Sequence, residues 1–447
     1  MKTSLLIILN KLITCVCKIF KKNGTVYPAS ITLPLSKNIL SHIKYPKYVI
    51  GVTGSSGKGS TTSLIAHILE NNGYKVVWNN SGSNVVNGTA TLILNNSSFL
   101  THRLKADVLL LEMDESYIKE TFKKSTLTHL IITNITRDQP ARNATPEIIL
   151  NKVINSIDNK THLIINSDDS LVNRLTLKHK GEITTYGINK TKYSIDAPIS
   201  NCLDGAYCPV CNKKLKYDFY HYGHLGGYKC LDCDFQRKSD FIGTKVDLET
   251  STMIINKNKV HLNKNVFFAA YYTIAAYTLC KTIGISDEQL LSSLNINIIP
   301  SKRMKQIKLD DREVFMIESK NENNLSYLQS LNYINQFEGK KNIIIGFDNV
   351  SRRYKYNDTS WLYDVDFNVL DLENIERIFC IGRFRFDVAA RLINSGIPED
   401  ELILVDDIDK IIPLIQENST GVIFTMVCFD MTEKLKSLFE GGNNNEN

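Results

Sequence analysis

The stretch that decides the fold is Tyr48-Val-Ile-Gly-Val-Thr-Gly-Ser-Ser-Gly-Lys-Gly-Ser-Thr-Thr62, a short β-branched run that breaks into a glycine and serine loop around one lysine. Apolar residues at helical spacing follow between positions 64 and 69, and Gly73 stands where a helix C-cap belongs. Strand, glycine loop and helix in this order turn backbone N–H groups towards an anion. The stretch therefore predicts a phosphate-binding loop for a nucleotide triphosphate.

The loop also predicts which residues hold the nucleotide. Lys58 adds a point charge, Ser60 or Thr61 can reach a magnesium ion, and positive φ is expected at the loop glycines, Gly54, Gly57 and Gly59. The usual motif G-x-x-x-x-G-K-[ST] would need glycine at position 52 and Ser or Thr at position 59, so the spacing is a variant. The predicted nucleotide-binding set is Thr53, Gly54, Ser55, Ser56, Gly57, Lys58, Gly59, Ser60 and Thr61.

Composition limits the function classes. The chain has 447 residues, 43% of them hydrophobic and 22% charged, which is ordinary for a soluble globular protein of two or three domains. The net charge of +6 is spread along the chain, so neither a nucleic-acid nor a membrane footprint is indicated. Ten cysteines, with two CxxC pairs and no clear export signal, favour metal binding in a reducing, cytoplasmic compartment over a disulfide framework.

The N-terminus predicts a helix rather than a membrane span. Residues 5–20 are apolar but are interrupted by Asn10, Lys11 and Lys18, which is too short and too polar to cross a bilayer. An amphipathic helix packed on a core, in preference to one lying on a membrane surface, is the expectation. Residues 24–47 contain three prolines and a glycine and predict an extended connector.

Apolar runs alternate with helical patterns over most of the remaining sequence, which predicts an open parallel α/β sheet with its ligand site at the carboxyl ends of the strands. A second α/β pattern begins after Pro300. Expected strands are 74–78, 107–111, 128–133, 161–166, 314–317, 342–347, 377–381, 402–405 and 422–427. The predicted domains are 1–47 (helix and connector), 48–300 (ATP-binding), 301–440 (C-terminal α/β) and 441–447 (a disordered tail).

Two CxxC pairs, Cys208-Pro-Val-Cys211 and Cys230-Leu-Asp-Cys233, lie in a Cys-, Tyr- and Gly-rich insertion at about 196–245. Two such knuckles 18 residues apart can present four thiolates to one zinc ion. The site would be closed and structural. Cys202 and His221 are nearby, but nothing in their spacing favours them as ligands.

Carboxylates follow a predicted strand at Glu112, Asp114 and Glu115, where one of them can hold the magnesium that bridges nucleotide phosphates. Such residues are also common in solvated turns. The cluster Arg137-Asp138-Gln139 follows the next strand and is expected at the same edge.

Several of these segments resemble those of a known protein family. Residues 53–58, 111–115 and 133–139 are similar to the ATP-binding central domain of the Mur ligase family. The cysteine insertion, the segment 358–367 beginning Asp-Thr-Ser-Trp, and Gly382-Arg-Phe-Arg-Phe-Asp387 with Arg391-Leu392 resemble the MurT group of that family, the ligase subunits of lipid II isoglutaminyl synthase.

The resemblance implies an activity. ATP would phosphorylate the D-glutamate α-carboxyl of the lipid II stem peptide, and ammonia would displace phosphate. Lys58 would hold the γ-phosphate, while Glu112, Ser60 and Gln139 would hold magnesium, Gln139 standing where relatives often have histidine. Asn134 and Arg303 are the further nucleotide-binding residues that it implies.

The resemblance also implies a partner, because no glutaminase is evident in this chain: Cys280, Cys380 and Cys428 lie in apolar runs typical of a core. A GatD-like glutamine amidotransferase would form a heterodimer with the chain and supply ammonia. Asp358, or failing that Asp364, would complete the partner's Cys-His pair. Such a complex would act at the cytoplasmic face of the membrane, where its lipid-linked substrate gives it peripheral contact with the bilayer.

Other functions stay open from sequence. The family pattern is broken at Ala269, Tyr272, Lys302 and Glu322, which would suit a paralogue with another carboxylate substrate. Residues 57–60 are also similar to folylpolyglutamate-type ligases, although the cysteine insertion argues against that branch. A zinc ribbon that binds nucleic acid is the alternative from another class, on the basis of the lysines at 213, 214 and 216.

Overall fold

The structure is a computed structural model that describes residues 2–22, 24–80, 83–122, 126–198, 204–294, 304–351, 357–428 and 430–442. The chain forms two compact units. The first contains residues 1–135, 146–198 and 203–299, and the second contains 136–145, 199–202 and 300–447. Arg303, Lys302 and Cys202, all named above, lie outside the described residues.

The helices and strands are numbered in chain order. The helices are α1 Lys2–Ile19, α2 Tyr27–Leu35, α3 Lys58–Asn71, α4 Val86–Asn96, α5 Ile118–Thr121, α6 Pro140–Asn143, α7 Pro146–Ile154, α8 Phe267–Thr282, α9 Asp287–Leu294, α10 Asn324–Asn335, α11 Arg385–Ile393, α12 Ile411–Asn418 and α13 Asp430–Gly442. The strands are β1 Tyr48–Thr53, β2 Val76–Trp78, β3 Val108–Glu112, β4 His129–Ile132, β5 His162–Asn166, β6 Ile183–Ile188, β7 Lys216–Tyr222, β8 Leu225–Lys229, β9 Phe241–Asp247, β10 Thr252–Ile255, β11 Asn258–His261, β12 Met304–Leu309, β13 Arg312–Glu318, β14 Lys341–Gly346, β15 Ile375–Ile381, β16 Leu402–Leu404 and β17 Val422–Val427.

The first unit is built on a nine-stranded sheet in the order β11-β10-β9-β6-β5-β4-β1-β3-β2. Pairing is parallel from β2 to β9 and antiparallel only at the β9-β10-β11 edge. The central strand β1 is buried along Val49–Thr53, as a strand covered on both faces requires. Because β1 lies between β3 and β4, the carboxyl ends of these strands meet at one edge, as predicted from the sequence.

The second unit has a six-stranded sheet in the order β12-β13-β17-β14-β15-β16. All of its pairs are parallel except the β12-β13 hairpin. The five strands predicted in this region are confirmed, β17 with the same bounds. The hairpin strand β12 was not predicted, because its alternating lysines and glutamine resemble a polar loop.

The predicted extended connector at 24–47 is wrong: α2 occupies much of it, followed by a short 3-10 turn at Ile39–His42. Pro28 lies in the first turn of α2, where no intrahelical N–H donor is needed, and Pro34 lies at its last turn. The prolines therefore mark the ends of this helix instead of excluding it.

The predicted N-terminal helix is confirmed as α1, and its Leu6 and Ile7 join the core of the first unit. None of the helices in the part of the chain that the structure describes is long and apolar enough to cross a membrane.

Candidate functional site

The glycine loop connects β1 to α3 as the sequence predicts. Gly54 has φ +130° and Gly57, which caps α3, has φ +82°. A Cβ at Gly54 would lie 2.2 Å from the Thr133 hydroxyl oxygen, so only glycine fits there. The loop is bent tightly at its start and delivers its backbone to the N-terminus of α3, where unsatisfied N–H groups attract anions.

The expectation of positive φ at Gly59 is wrong, because Gly59 is the second residue of α3. The reason for glycine at this position is a close approach. A Cβ there would lie 3.2 Å from Oε2 of Glu112 at the end of β3, a distance tighter than ordinary contact. The Glu112 carboxylate therefore comes next to the first turn of α3, where a cation bridging phosphates would be held.

Lys58 is buried and its ammonium donates to Oε1 of Glu115 at 2.9 Å and also to the Gly54 carbonyl. The same Glu115 oxygen accepts a hydrogen bond from the Gly54 amide at 3.0 Å. The Glu115 carboxylate thus accepts hydrogen bonds from the Lys58 ammonium and the Gly54 amide, two donors that are expected from the sequence to bind phosphate. In the sequence Glu115 is one of three carboxylates after a strand, and nothing there distinguishes its role.

Asn134 holds the loop from the neighbouring strand end. Its side-chain oxygen accepts from the Ser56 amide at 3.0 Å, its side-chain NH2 donates to the Ser56 carbonyl at 3.1 Å, and its backbone carbonyl accepts from the Ser55 amide at 2.9 Å. The Thr133 hydroxyl donates to the Ser56 carbonyl at 2.7 Å. These contacts give Asn134 a role in shaping the loop, while the nucleotide contact inferred from resemblance stays a prediction.

The hydroxyls at the start of α3 differ in what they bond. Thr61 donates to the Gly57 carbonyl at 2.9 Å within the helix. Ser60 is half-buried on the same first turn. Of the two predicted magnesium ligands, Ser60 is the better fit, because Thr61 is already satisfied by backbone.

Residues 136–145 belong to the second unit, and their contacts described here are made within it. Arg137 pairs with Asp364 at 3.0 Å, and Asp138 accepts from Lys320 at 2.8 Å. The Gln139 side-chain oxygen accepts from Arg142 at 3.0 Å. Gln139 and Glu112 lie in different units, so the expectation that both residues bind one magnesium ion stays a prediction.

The two candidate aspartates of the second unit differ in accessibility. Asp358 is exposed and accepts from the Ser360 amide at 2.9 Å. Hydrogen bonds from the Ser360 side chain and backbone lower the pKa of Asp358, so its carboxylate stays ionised. Asp364 is half-buried and paired with Arg137. Of the two, Asp358 is the carboxylate that another protein could reach.

Arg391 supports the segment that carries Asp358. Its buried guanidinium donates to the carbonyls of Leu362 and Val365 at 3.0 and 2.6 Å. These carbonyls lie in and just after a 3-10 turn, Ser360–Asp364, that follows Asp358. The arginine that helped to carry the resemblance is therefore a positioning residue.

The four cysteines of the two knuckles converge as predicted. Their sulfur atoms all lie within 4.8 Å of one another, and Cys208 to Cys233 and Cys211 to Cys230 are each 3.4 Å apart. Four thiolates at about 2.3 Å from a tetrahedral zinc ion lie about 3.8 Å apart. The four sulfur donors and the distances between them both fit a zinc ion. His221 is not in the cluster, since its ring bonds the Ile188 carbonyl.

The ribbon is fixed to the large sheet by two buried aspartates after β5. Asp168 pairs with Arg237 and accepts from the Tyr271 hydroxyl at 2.7 Å, and Asp169 pairs with His224 at 2.9 Å. Burial acts to lower the pKa of His224, but the Asp169 carboxylate outweighs it and the pKa is raised. Both aspartates closely follow the strand expected at 161–166. Their position in the sequence does not distinguish a ligand site from an anchor for an insertion.

Two family models match the chain. The Mur ligase middle domain matches residues 52–218, and the MurT ligase C-terminal domain matches residues 320–429. The first match contains the glycine loop and the first cysteine pair, and the second contains Asp358 and Arg391.

Relatives and solved structures agree with these matches. The chain is 28% identical to the MurT subunit of lipid II isoglutaminyl synthase (glutamine-hydrolyzing) of Staphylococcus aureus strain COL, over 94% of this chain and 95% of that protein. A pseudomurein peptide ligase type C from Methanothermus fervidus has a TM-score of 0.68, 20% identity and coverage of 91% of this chain and 80% of the other. MurF from Thermotoga maritima in complex with ADP has a TM-score of 0.56, 16% identity and coverage of 93% and 84%. The chain therefore combines a Mur ligase middle domain with a MurT ligase C-terminal domain, and it is similar over nearly its whole length to a MurT subunit.

Proposed function

We propose that this chain activates the D-glutamate α-carboxyl of the lipid II stem peptide as an acyl phosphate, for amidation by ammonia from a glutaminase partner. The observation that carries the proposal is the approach of Glu112 to Gly59 at the head of α3, beside buried Lys58. The Staphylococcus aureus relative, named as a subunit of a glutamine-hydrolyzing synthase, supports the choice of substrate and of nitrogen donor.

In the first half-reaction a carboxylate oxygen of the acceptor attacks the γ-phosphorus of ATP, and ADP leaves. Lys58 and the N–H groups at the start of α3 stabilise the charge on the transferred phosphoryl group. Magnesium, when bound, neutralises charge on the bridging phosphate oxygens. Glu112 and Ser60 are the residues of the first unit that would hold it.

In the second half-reaction ammonia attacks the acyl carbon, phosphate leaves, and the nitrogen loses a proton to give the amide. The ammonia would come from a GatD-like glutaminase bound to this chain as a heterodimer. Exposed Asp358 would accept a hydrogen bond from the partner's catalytic histidine and orient it. Asp364 is the weaker candidate, because Arg137 already neutralises it.

In this proposal residues 48–300 form the ATP-binding domain and 301–440 the C-terminal domain. Zinc held by Cys208, Cys211, Cys230 and Cys233 is structural, because four thiolates leave no open coordination position. The acceptor is lipid-linked, so the reaction is assigned to the cytoplasmic face of the membrane.

The test is to co-express the chain with a small glutaminase and to follow amidation of lipid II by mass spectrometry. We expect a mass change that requires glutamine and ATP. An intact complex that gives no amidated product would refute the proposal.

The matched variant is Lys58→Met with Glu115→Gln. Removing both members of the buried pair avoids leaving one charge unpaired, so the fold should survive. We expect zinc content and partner binding to be unchanged and acyl-phosphate formation to be lost. Normal turnover by this variant would show that Lys58 is not required for acyl-phosphate formation.

A further inference from the structure

The helix α1 is apolar on its outward side as well as on its inward side. Its inward side carries Leu6 and Ile7, which join the core, and Asn10, which is fully buried and bonds Asn95 at 2.9 Å and Thr32 at 3.2 Å. Its outward side carries Leu5, Ile8, Leu12, Val16 and Ile19, all exposed and spaced by three or four residues. We call these five residues the outer stripe. A helix that packs on a core and otherwise faces water carries polar residues on its outward side.

The exposure of the outer stripe is not caused by fraying of a helix end. Leu12, in the middle of α1, is 58% exposed, while Asn10 two positions earlier is inaccessible to solvent. The helix is held in this orientation by the packing of Leu6 and Ile7 in the core and by hydrogen bonds, including the one from Lys11 to the Ser97 carbonyl at 2.8 Å. The outer stripe is therefore held outward by the contacts of the opposite side.

Further apolar side chains extend this surface. Phe20 follows the helix and is 70% exposed. Phe99 and Leu100, both exposed, lie in the turn after α4, and this turn is tied to the start of α1 by a 2.9 Å hydrogen bond between Ser4 and His102. An apolar patch of this kind marks a surface that is covered in use.

The charge around the stripe has a single sign. The first 50 residues contain eight lysines and neither Asp nor Glu, and the first acidic residue of the chain is Glu70. Lys2 and Lys18 are exposed near the two ends of α1, and Lys21 and Lys22 follow it. At 100° per residue, Lys11 and Lys18 flank the stripe on one side and Lys2 on the other.

We propose that α1 is an interfacial helix that docks on an anionic lipid bilayer, with the outer stripe inserted among the acyl chains and the lysines on lipid headgroups. Exposed apolar residues with flanking lysines are the features by which amphipathic helices bind such surfaces. Asn10, Lys11 and Lys18 exclude a spanning segment. A second copy of the chain is disfavoured, because symmetric pairing would bring like-charged lysines together without an acid to offset them.

This inference departs from the expectation from composition, by which a membrane footprint is not indicated. The net charge of +6 for the whole chain hides the concentration of lysines at its N-terminus. Docking would place the first unit at the surface where lipid-linked acceptors are found, but it stands without the proposed function, because vesicle binding needs no substrate.

The test is co-sedimentation of the full chain with vesicles of phosphatidylcholine alone or mixed with phosphatidylglycerol. We expect binding to the mixed vesicles that weakens with salt. Leu12→Gln with Val16→Gln should lower the partition coefficient about tenfold or more, because two inserted side chains become polar. Lys18→Gln, Lys21→Gln and Lys22→Gln together should remove the preference for the anionic lipid.

The matched control is Leu177→Gln with Leu404→Gln, two leucines that are 53% and 41% exposed outside α1. This variant should bind vesicles like the unmodified chain. Thermal unfolding of all variants should coincide, since every substitution is at an exposed site. The proposal fails if the chain ignores anionic vesicles, if the stripe variant binds normally, or if sedimentation shows a dimer that the stripe variant abolishes.

Discussion

Lys58 and Glu115 form a buried ion pair, 2.9 Å from ammonium nitrogen to carboxylate oxygen, inside the loop that is expected to hold nucleotide phosphates. The same carboxylate oxygen accepts the Gly54 amide. In the free protein an acidic side chain thus engages donors suited to a phosphate, and nucleotide binding would have to release them.

Replacing Glu115 with Gln should therefore destabilise the free protein and increase its response to nucleotide. Loss of the carboxylate leaves Lys58 buried without its counter-ion, which costs roughly 3 kcal/mol. ATP with magnesium restores an anion, so the rise in Tm on adding nucleotide should be larger than in the unmodified chain. Differential scanning fluorimetry measures both effects.

The control for this prediction is Glu120→Gln, which removes an exposed carboxylate from a nearby segment. It should change neither Tm nor the nucleotide response. An equal nucleotide response in the Glu115 variant would mean that the ion pair does not compete with phosphate.

Gly59→Ala should lower ligase turnover without destabilising the fold. Alanine is favoured over glycine inside a helix by about 0.5 to 1 kcal/mol, so Tm should hold or rise. Its methyl group would meet Glu112 at 3.2 Å and displace that carboxylate, which should reduce kcat by about tenfold to a hundredfold.

The comparison for Gly59 is Gly73→Ala, where φ is +81° and open space surrounds the position. This change should cost about 1 kcal/mol of stability and leave kcat unaltered. If both variants lose activity in proportion to stability, the contact between Gly59 and Glu112 has no special role.

Much of the fold follows from sequence because its signals are local. The run Val49–Thr53 is apolar and β-branched, Gly73 ends α3 with φ +81°, and β17 has the predicted bounds. The four cysteines converge because two knuckles of fixed spacing leave few other arrangements. In each case neighbouring residues are enough to decide the structure.

What could not be predicted depends on distant pairing. The bond between Glu115 and Gly54 requires β1 and β3 to be neighbours, which no local pattern states. In the sequence, the position of Asp168 after a strand is typical of a ligand-binding residue. In the structure Asp168 pairs with Arg237, 69 positions later in the chain. The outward direction of Leu12 similarly depends on Thr32 and Asn95 satisfying Asn10.

Zinc should be lost when one knuckle is broken. Cys208→Ser removes a buried thiolate from a set whose sulfur atoms lie within 4.8 Å, and three ligands hold zinc far less tightly than four. We expect zinc to fall from one equivalent to near none by elemental analysis, with a lower Tm. Cys15→Ser, at an exposed cysteine outside the cluster, should keep its zinc. Full zinc content in the Cys208 variant would contradict the assignment.

Acid should destabilise the first unit through His129. Burial and the neighbouring His162 lower the pKa of His129 to about 4 from its ordinary value of 6.5. The unfolded chain therefore binds the proton more readily, so stability falls as pH drops from about 6.5 to about 4, by at most about 3 kcal/mol. Urea unfolding across this window should show the loss, and His129→Gln should reduce it. Exposed His42→Gln should leave the slope unchanged, and a flat profile in the unmodified chain would refute the argument.

In the complex with a glutaminase, Asp358→Asn should reduce amidation that uses glutamine but not amidation that uses added ammonium. Asparagine can keep the turn to Ser360 but carries no charge to stabilise a histidinium in the partner, so glutamine-dependent amidation should fall by about a thousandfold. Amidation from added ammonium should continue, because the phosphate loop is untouched. Asp371→Asn is the matched control, since Asp371 is also exposed and caps an equivalent turn at 3.1 Å. Loss of glutamine-dependent activity in Asp364→Asn but not in Asp358→Asn would transfer the role to Asp364.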